Sequence, residues 1–275
     1  MTYFKPTTIT RMNARAAVDD AYRAAGMTPP TIVDALDQAI AAEPSPYELA
    51  VEYANRALDG TNDPDTLIEE ATERITRAQA LEQFRDVYAR TVEQLAYERI
   101  GDTRAQAAAD LAPALTKLAK QLAKHATQLD PEHPLDKDRA FETDASTHWR
   151  AATDALAHLS AFVFAEAHSD RINPLVARSL QIVNIPDVAP ERYAVTGMGV
   201  HTRIPDEHTE RRWAIRKVLD GLRSDPDETL VLIARGTWPE ISLTLCAGDE
   251  HARRVRAAEN AVTQVRARVR EAVTL

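Results

Sequence analysis

Apolar residues recur every three or four positions through the 36 residues that separate Asp63-Pro64 from Gly101, a stretch with neither proline nor glycine. The pattern predicts one long helix of roughly 55 Å, opened by Asp63 as cap and Pro64 as first residue. Its stripe is Ala71, Ile75, Ala78, Leu81, Phe84, Tyr88, Val92 and Leu95. The steps average about 3.4 residues, close to a coiled-coil seam, although Arg74 and Arg85 break a strict heptad. Gly101-Asp102 reads as a short connection, so the next helix, over 103–129, is expected to fold back antiparallel. That helix carries the seam Leu111, Leu115, Leu118, Leu122 and Leu129 with His125 in the remaining slot, and Pro113 should kink or restart it. After a charged loop over 130–143, a third helix over 144–168 turns Trp149, Leu156, Leu159 and Val163 inward.

Three shorter helices precede the long one. The first, 13–25, closes at Gly26, and the second covers 30–42. The third opens with the capping box Ser45-Pro46-Tyr47-Glu48 and ends at Gly60. Beyond Ile172-Asn173-Pro174 the periodicity changes. Four runs, 180–185, 193–204, 229–234 and 241–246, read as strands, with helices at 207–223 and 250–273 and a hairpin loop at Gly236-Thr237-Trp238-Pro239. The expected class is α+β, predominantly α. A short-helix cap (1–60) and a long antiparallel helical bundle (61–172) are followed by a small β-β-α-β-β-α two-layer module (176–275).

Composition narrows the function classes. Only 8 glycines in 275 residues disfavour glycine-lined phosphate loops. The net charge of −9 is uneven, because residues 61–175 hold 20 acidic and 13 basic side chains while residues 176–275 hold 14 and 15. An acidic body repels nucleic acid and anionic lipid, which confines any such contact to the C-terminal third. Arginine outnumbers lysine 27 to 6, the usage of a high-GC bacterium or its phage. A single cysteine, Cys246, excludes an intramolecular disulfide and reads as a core residue, and a cytoplasmic location is expected because no leader or apolar run near 18 residues is found.

Asp206-Glu207-His208 recurs as Asp249-Glu250-His251, with Arg211 matching Arg254 and Ala214 matching Ala257. The repeat suggests a duplicated strand-strand-helix unit. Carboxylates and imidazoles at two symmetric helix starts offer a metal or acid/base site, whereas acids in a first turn also simply complement the helix dipole. His125 reads first as a satisfied buried or half-exposed bundle histidine, with a pH switch or a ligand paired with His148 or His158 as the alternative, while Asp154 and His158, four apart, read as a local pair. Arg211, Arg212, Arg216 and Lys217, with Arg253, Arg254, Arg256, Arg266, Arg268 and Arg270, make the best case for nucleic acid, but the acids among them favour a salt-bridged surface. No nucleophile elbow, His-Glu-x-x-His or Walker A sequence is present, so no catalytic residue, cofactor or metal is assigned. The expected role is a non-enzymatic interaction or assembly protein, scaffold- or adaptor-like, that binds a protein partner or itself. The alternatives are a nucleic-acid-binding regulator acting through residues 176–275 and an enzyme using His208 or His251.

Overall fold

The computed structural model describes residues 2–10, 13–30, 44–60, 63–98, 100–167, 169–195, 201–204 and 206–267. The described residues are mostly helix with a small strand part in two sheets, an α+β protein that is predominantly α. Two compact units divide it, Pro30–Arg99 and the combination of Met1–Pro29 with Ile100–Leu275. Among the described residues no helix is long and apolar enough to cross a membrane.

In the first of these units, α2 (Pro46–Leu58) packs on α3 (Pro64–Glu98); α1 (Ala14–Ala24) belongs to the other. The capping box forms as the sequence requires: Ser45 Oγ accepts from the Glu48 amide at 3.2 Å and Glu48 accepts from the Ser45 amide at 2.8 Å. Asp63 caps α3 through the Thr66 amide at 3.1 Å. Leu49 and Tyr53 of α2 are buried with Leu67 and Ala78 of α3. Arg56–Glu70 (3.0 Å) and Arg74–Glu52 (3.4 Å) flank them, and both guanidinium groups lie over the Tyr53 ring. These pairs run in opposite directions, so α2 lies antiparallel to the first half of α3 and reaches only to about residue 80. The expected helix over 30–42 and the side chains of Tyr88, Val92 and Leu95 lie outside the described residues.

The larger unit is centred on α4 (Ile100–Ala126). Leu111, Leu115 and Leu122 are fully buried and meet Leu156 and Leu159 of α6 (Ser146–Leu159), which follows the short α5 (Lys137–Glu142). Gly101 and Asp102 are helical residues of α4, not the expected turn, and α4 continues through Pro113. A 3₁₀ turn follows α6, and residues 163–167 have no regular secondary structure, so this helix is shorter than expected. The amides of Phe164 and Ala165 donate to the buried Gln181 Oε1 at 2.8 and 2.7 Å, which replaces the lost helical bonds.

Beyond α7 (Pro174–Ser179) come β1 (Val183–Asn184), β2 (Glu191–Val195), β3 (His201–Arg203), α8 (Thr209–Ser224), α9 (Pro226–Arg235), β4 (Ser242–Leu243), α10 (Gly248–Val262) and β5 (Gln264–Ala267). The strands make an antiparallel β1–β4 pair and a sheet in which β2 is antiparallel to β3 and parallel to β5. This order replaces the expected β-β-α-β-β-α alternation. The run 229–234 is helix α9: Asp225 caps it through the Glu228 amide, Pro226 occupies its first position, and Gly236 closes it at φ +84°. Those signals outweigh the β-branched content of a run buried on most sides. Gly236-Thr237-Trp238-Pro239 accordingly joins a helix to β4. The last helix stops at Val262, and Val265 lies in β5 beside Arg192. Gly221 marks a close approach of α8 and α9, since a Cβ there would meet Thr229 Oγ1 at 2.3 Å.

Candidate functional site

The twin triplets occupy different positions relative to their helices. Asp206-Glu207-His208 forms the turn before α8, while Asp249-Glu250-His251 lies inside the first turn of α10. Asp206 accepts from Arg212 Nη1 at 3.0 Å and Nη2 at 2.5 Å, bonds that hold its carboxyl below the usual range. Arg212 is fully buried and also donates to the Ala189 carbonyl at 3.0 Å. The imidazole of His208 lies 3.7 Å from exposed Glu207.

In the second triplet Glu250 receives Arg253 Nε at 2.8 Å and Arg254 Nε at 3.0 Å, and the Arg253 bond leads in drawing its carboxyl down to about 2. His251 is buried, with Nε2 2.9 Å from the Ala177 carbonyl. That oxygen only accepts, so Nε2 carries the proton and Nδ1 keeps its lone pair. Burial lowers the imidazole's affinity for a second proton. Among the described residues no group of three or more His, Cys, Asp or Glu is arranged to hold a metal ion.

His251 lines a cleft of about 370 Å³ with Arg104, Glu166, Arg256 and Glu259. Arg104 and Glu166 pair at 3.4 Å, Ser169 Oγ donates to Glu259 at 2.7 Å, and Arg104 Nε is buried without a hydrogen-bond partner. Cations, carboxylates and a neutral imidazole make this a place for a small polar group. Sequence reasoning singled out His251 and, for another role, Arg256, because the cleft joins residues about 150 positions apart and no motif announces Arg104 or Glu166.

Five arginines of the last two long helices, Arg211, Arg212, Arg216, Arg253 and Arg254, are engaged by carboxylates. Arg211 makes two 2.7 Å bonds to Glu240, Arg216 Nη2 meets Glu191 at 2.7 Å, and Arg253 also reaches Asp187 at 2.6 Å. A phosphate backbone would have to displace these partners. Cys246 is buried, and burial pushes its thiol up to about 11, far from a nucleophile's range.

One further pair stands apart from the cleft. His125, in the last turn of α4, and His148, in the first turn of α6, bring their Nδ1 atoms to 3.0 Å, with ring centroids 5.3 Å apart and planes at 49°. His158 instead bonds the Asp154 carbonyl at 2.8 Å and lies 3.8 Å from the Asp154 carboxylate. No protein-family model, curated protein or solved structure matches this chain.

Proposed function

We propose that this is a non-enzymatic assembly protein whose α2–α3 pair binds a second copy of the chain. The observation that carries the reading is a second apolar stripe on α2. Tyr47, Val51, Ala54 and Leu58 follow the i, i+4, i+7, i+11 spacing and share one face, opposite the Leu49 and Tyr53 face that packs on α3. Tyr47 is 78% exposed, Val51 43% and Leu58 83%, and Ile68 of α3 adds 65%. Monomeric proteins rarely leave large apolar side chains aligned in this way.

The stripe is self-complementary. Under a two-fold axis an antiparallel second copy sets Tyr47 against its Leu58 and Val51 against its Ala54, which is the isologous arrangement of a closed dimer. Charge on α3 favours the same pairing. Residues 64–73 carry Asp65, Glu69, Glu70 and Glu73 with no base, whereas residues 74–84 carry Arg74 and Arg77 against Glu82. An antiparallel copy lays the negative segment near the positive one.

Sedimentation equilibrium from 1 to 100 µM tests the reading. A dimer is expected for the natural chain, and Val51→Glu with Leu58→Glu should shift it to monomer while leaving helix content unchanged, because both positions face away from α3. A natural chain that stays monomeric at 100 µM overturns the proposal. Nucleic-acid binding by residues 176–275 is the less favoured alternative, since the arginines it needs are held by Glu191, Glu240 and Glu250.

A further inference from the structure

We infer that His125 and His148 form a two-histidine site for a divalent transition-metal ion that prefers tetragonal coordination, copper(II) above nickel(II). The argument is geometric. A first-row divalent ion sits about 2.0–2.1 Å from an imidazole nitrogen. With the two Nδ1 atoms 3.0 Å apart, such an ion placed equidistant from both subtends about 91–97° between them. That is the angle between neighbouring positions of a square plane or octahedron. A tetrahedral zinc site would need the nitrogens at roughly 3.3–3.4 Å, so the spacing lies nearer the tetragonal angle, and among tetragonal ions copper(II) binds most strongly.

The surroundings suit the role. Both rings are half-buried, so the pair is reachable from solvent while its backbone is fixed by the close packing of α4 on α6. In the metal-free pair one Nδ1–H donates to the other Nδ1. Binding moves that proton to Nε2 of the same ring, so both Nδ1 lone pairs are freed without net proton release. No third His, Cys, Asp or Glu completes the set among the described residues, and water or a small exogenous ligand takes the remaining positions. The ion then bridges the end of α4 to the start of α6.

The test is electron paramagnetic resonance of the full chain with one equivalent of copper(II), together with calorimetric titration of copper(II) and nickel(II). The proposal expects a tetragonal spectrum with two equivalent nitrogens in the unmodified protein, and copper(II) affinity above nickel(II). His125→Gln and His148→Gln should each cost at least tenfold in copper(II) affinity and remove one nitrogen coupling, while His158→Gln leaves both unchanged. A spectrum showing a single nitrogen, or an affinity unmoved by both substitutions, overturns it. The spectrum of the unmodified chain decides the matter even if a glutamine variant fails to fold.

Discussion

Glu191 offers a sharp test of whether the arginines of this protein serve the fold. Its carboxylate is 2% exposed on β2 and accepts from Arg203 Nε of β3 at 2.6 Å and Arg216 Nη2 of α8 at 2.7 Å. Arg216 Nε also donates to the Ala261 carbonyl near the end of α10 at 2.6 Å. One buried carboxylate therefore ties β2 to β3 and α8, and Arg216 carries the link on to α10. Glu191→Gln keeps the shape but removes the charge and turns an amide N–H toward one of the guanidinium groups. Hydrogen bonds to charged groups are worth about 1.5–3 kcal/mol each. Arg203 and Arg216 are 43% and 32% exposed and can recover water, so the pair must be discounted, and the expected loss is about 2 kcal/mol. At about 2–4 °C per kcal/mol for a unit of this size, the midpoint of thermal unfolding should fall by about 4–8 °C. Burial pushes the Glu191 carboxyl up, but the Arg216 and Arg203 bonds outweigh it, and its folded value lies below the ordinary 4.5. Its stabilisation is thus complete above pH 4.5 and lost as the pH falls through the folded value, so natural chain and variant should converge in acid. Urea unfolding at pH 7 and pH 3.5 measures this. A difference below about 0.5 kcal/mol at pH 7, or one that persists undiminished at pH 3.5, refutes the reasoning.

His251 carries the opposite dependence. Burial holds its folded value below the ordinary 6.5, so the unfolded chain takes up a proton first and stability should fall as the pH drops below 6.5. His251→Gln should flatten the change in urea midpoint between pH 7.5 and 5.5; His125, lowered in the same direction, supplies what slope is left. Arg235 closes the C-terminus of α4 by donating to the Ala126, Leu129 and Asp130 carbonyls. Arg235→Met should cost about 1–3 kcal/mol in chemical denaturation, by stranding carbonyls at a helix end.

What was legible in the sequence follows where a local signal had no competitor. Ser45-Pro46-Tyr47-Glu48 and Asp63-Pro64 specify helix starts through bonds within four residues, and both form. The leucine spacing 111–122 fixed a buried face whatever packed on it. The run 229–234 was ambiguous, because a segment buried on most sides shows neither period clearly, and its ends decided for helix. Val262 and Val265 continue the helical spacing of α10, yet pairing of β5 with Glu191–Ala194 ends the helix at Val262. The His125–His148 contact was among the pairings the seam allowed. The cleft at His251 was not legible, since Arg104 and Glu166 reach it only through the packing of α4 and the irregular segment after α6. The outer stripe of α2 was also hidden, because Leu49 and Tyr53 are buried against α3 while Tyr47, Val51 and Leu58 are exposed on the other side, so the sequence shows no single clean face.

The pairing of α2 with a second copy is tested most directly by a disulfide. Tyr47 and Leu58 lie eleven residues apart on one helix, about 16 Å, too far for a bond within the chain. The buried Cys246, with its raised thiol, does not compete. Under mild oxidation the Tyr47→Cys, Leu58→Cys double variant should become a covalent dimer on a non-reducing gel, and each single variant should not. A double variant that stays monomeric with both new thiols free would contradict the account.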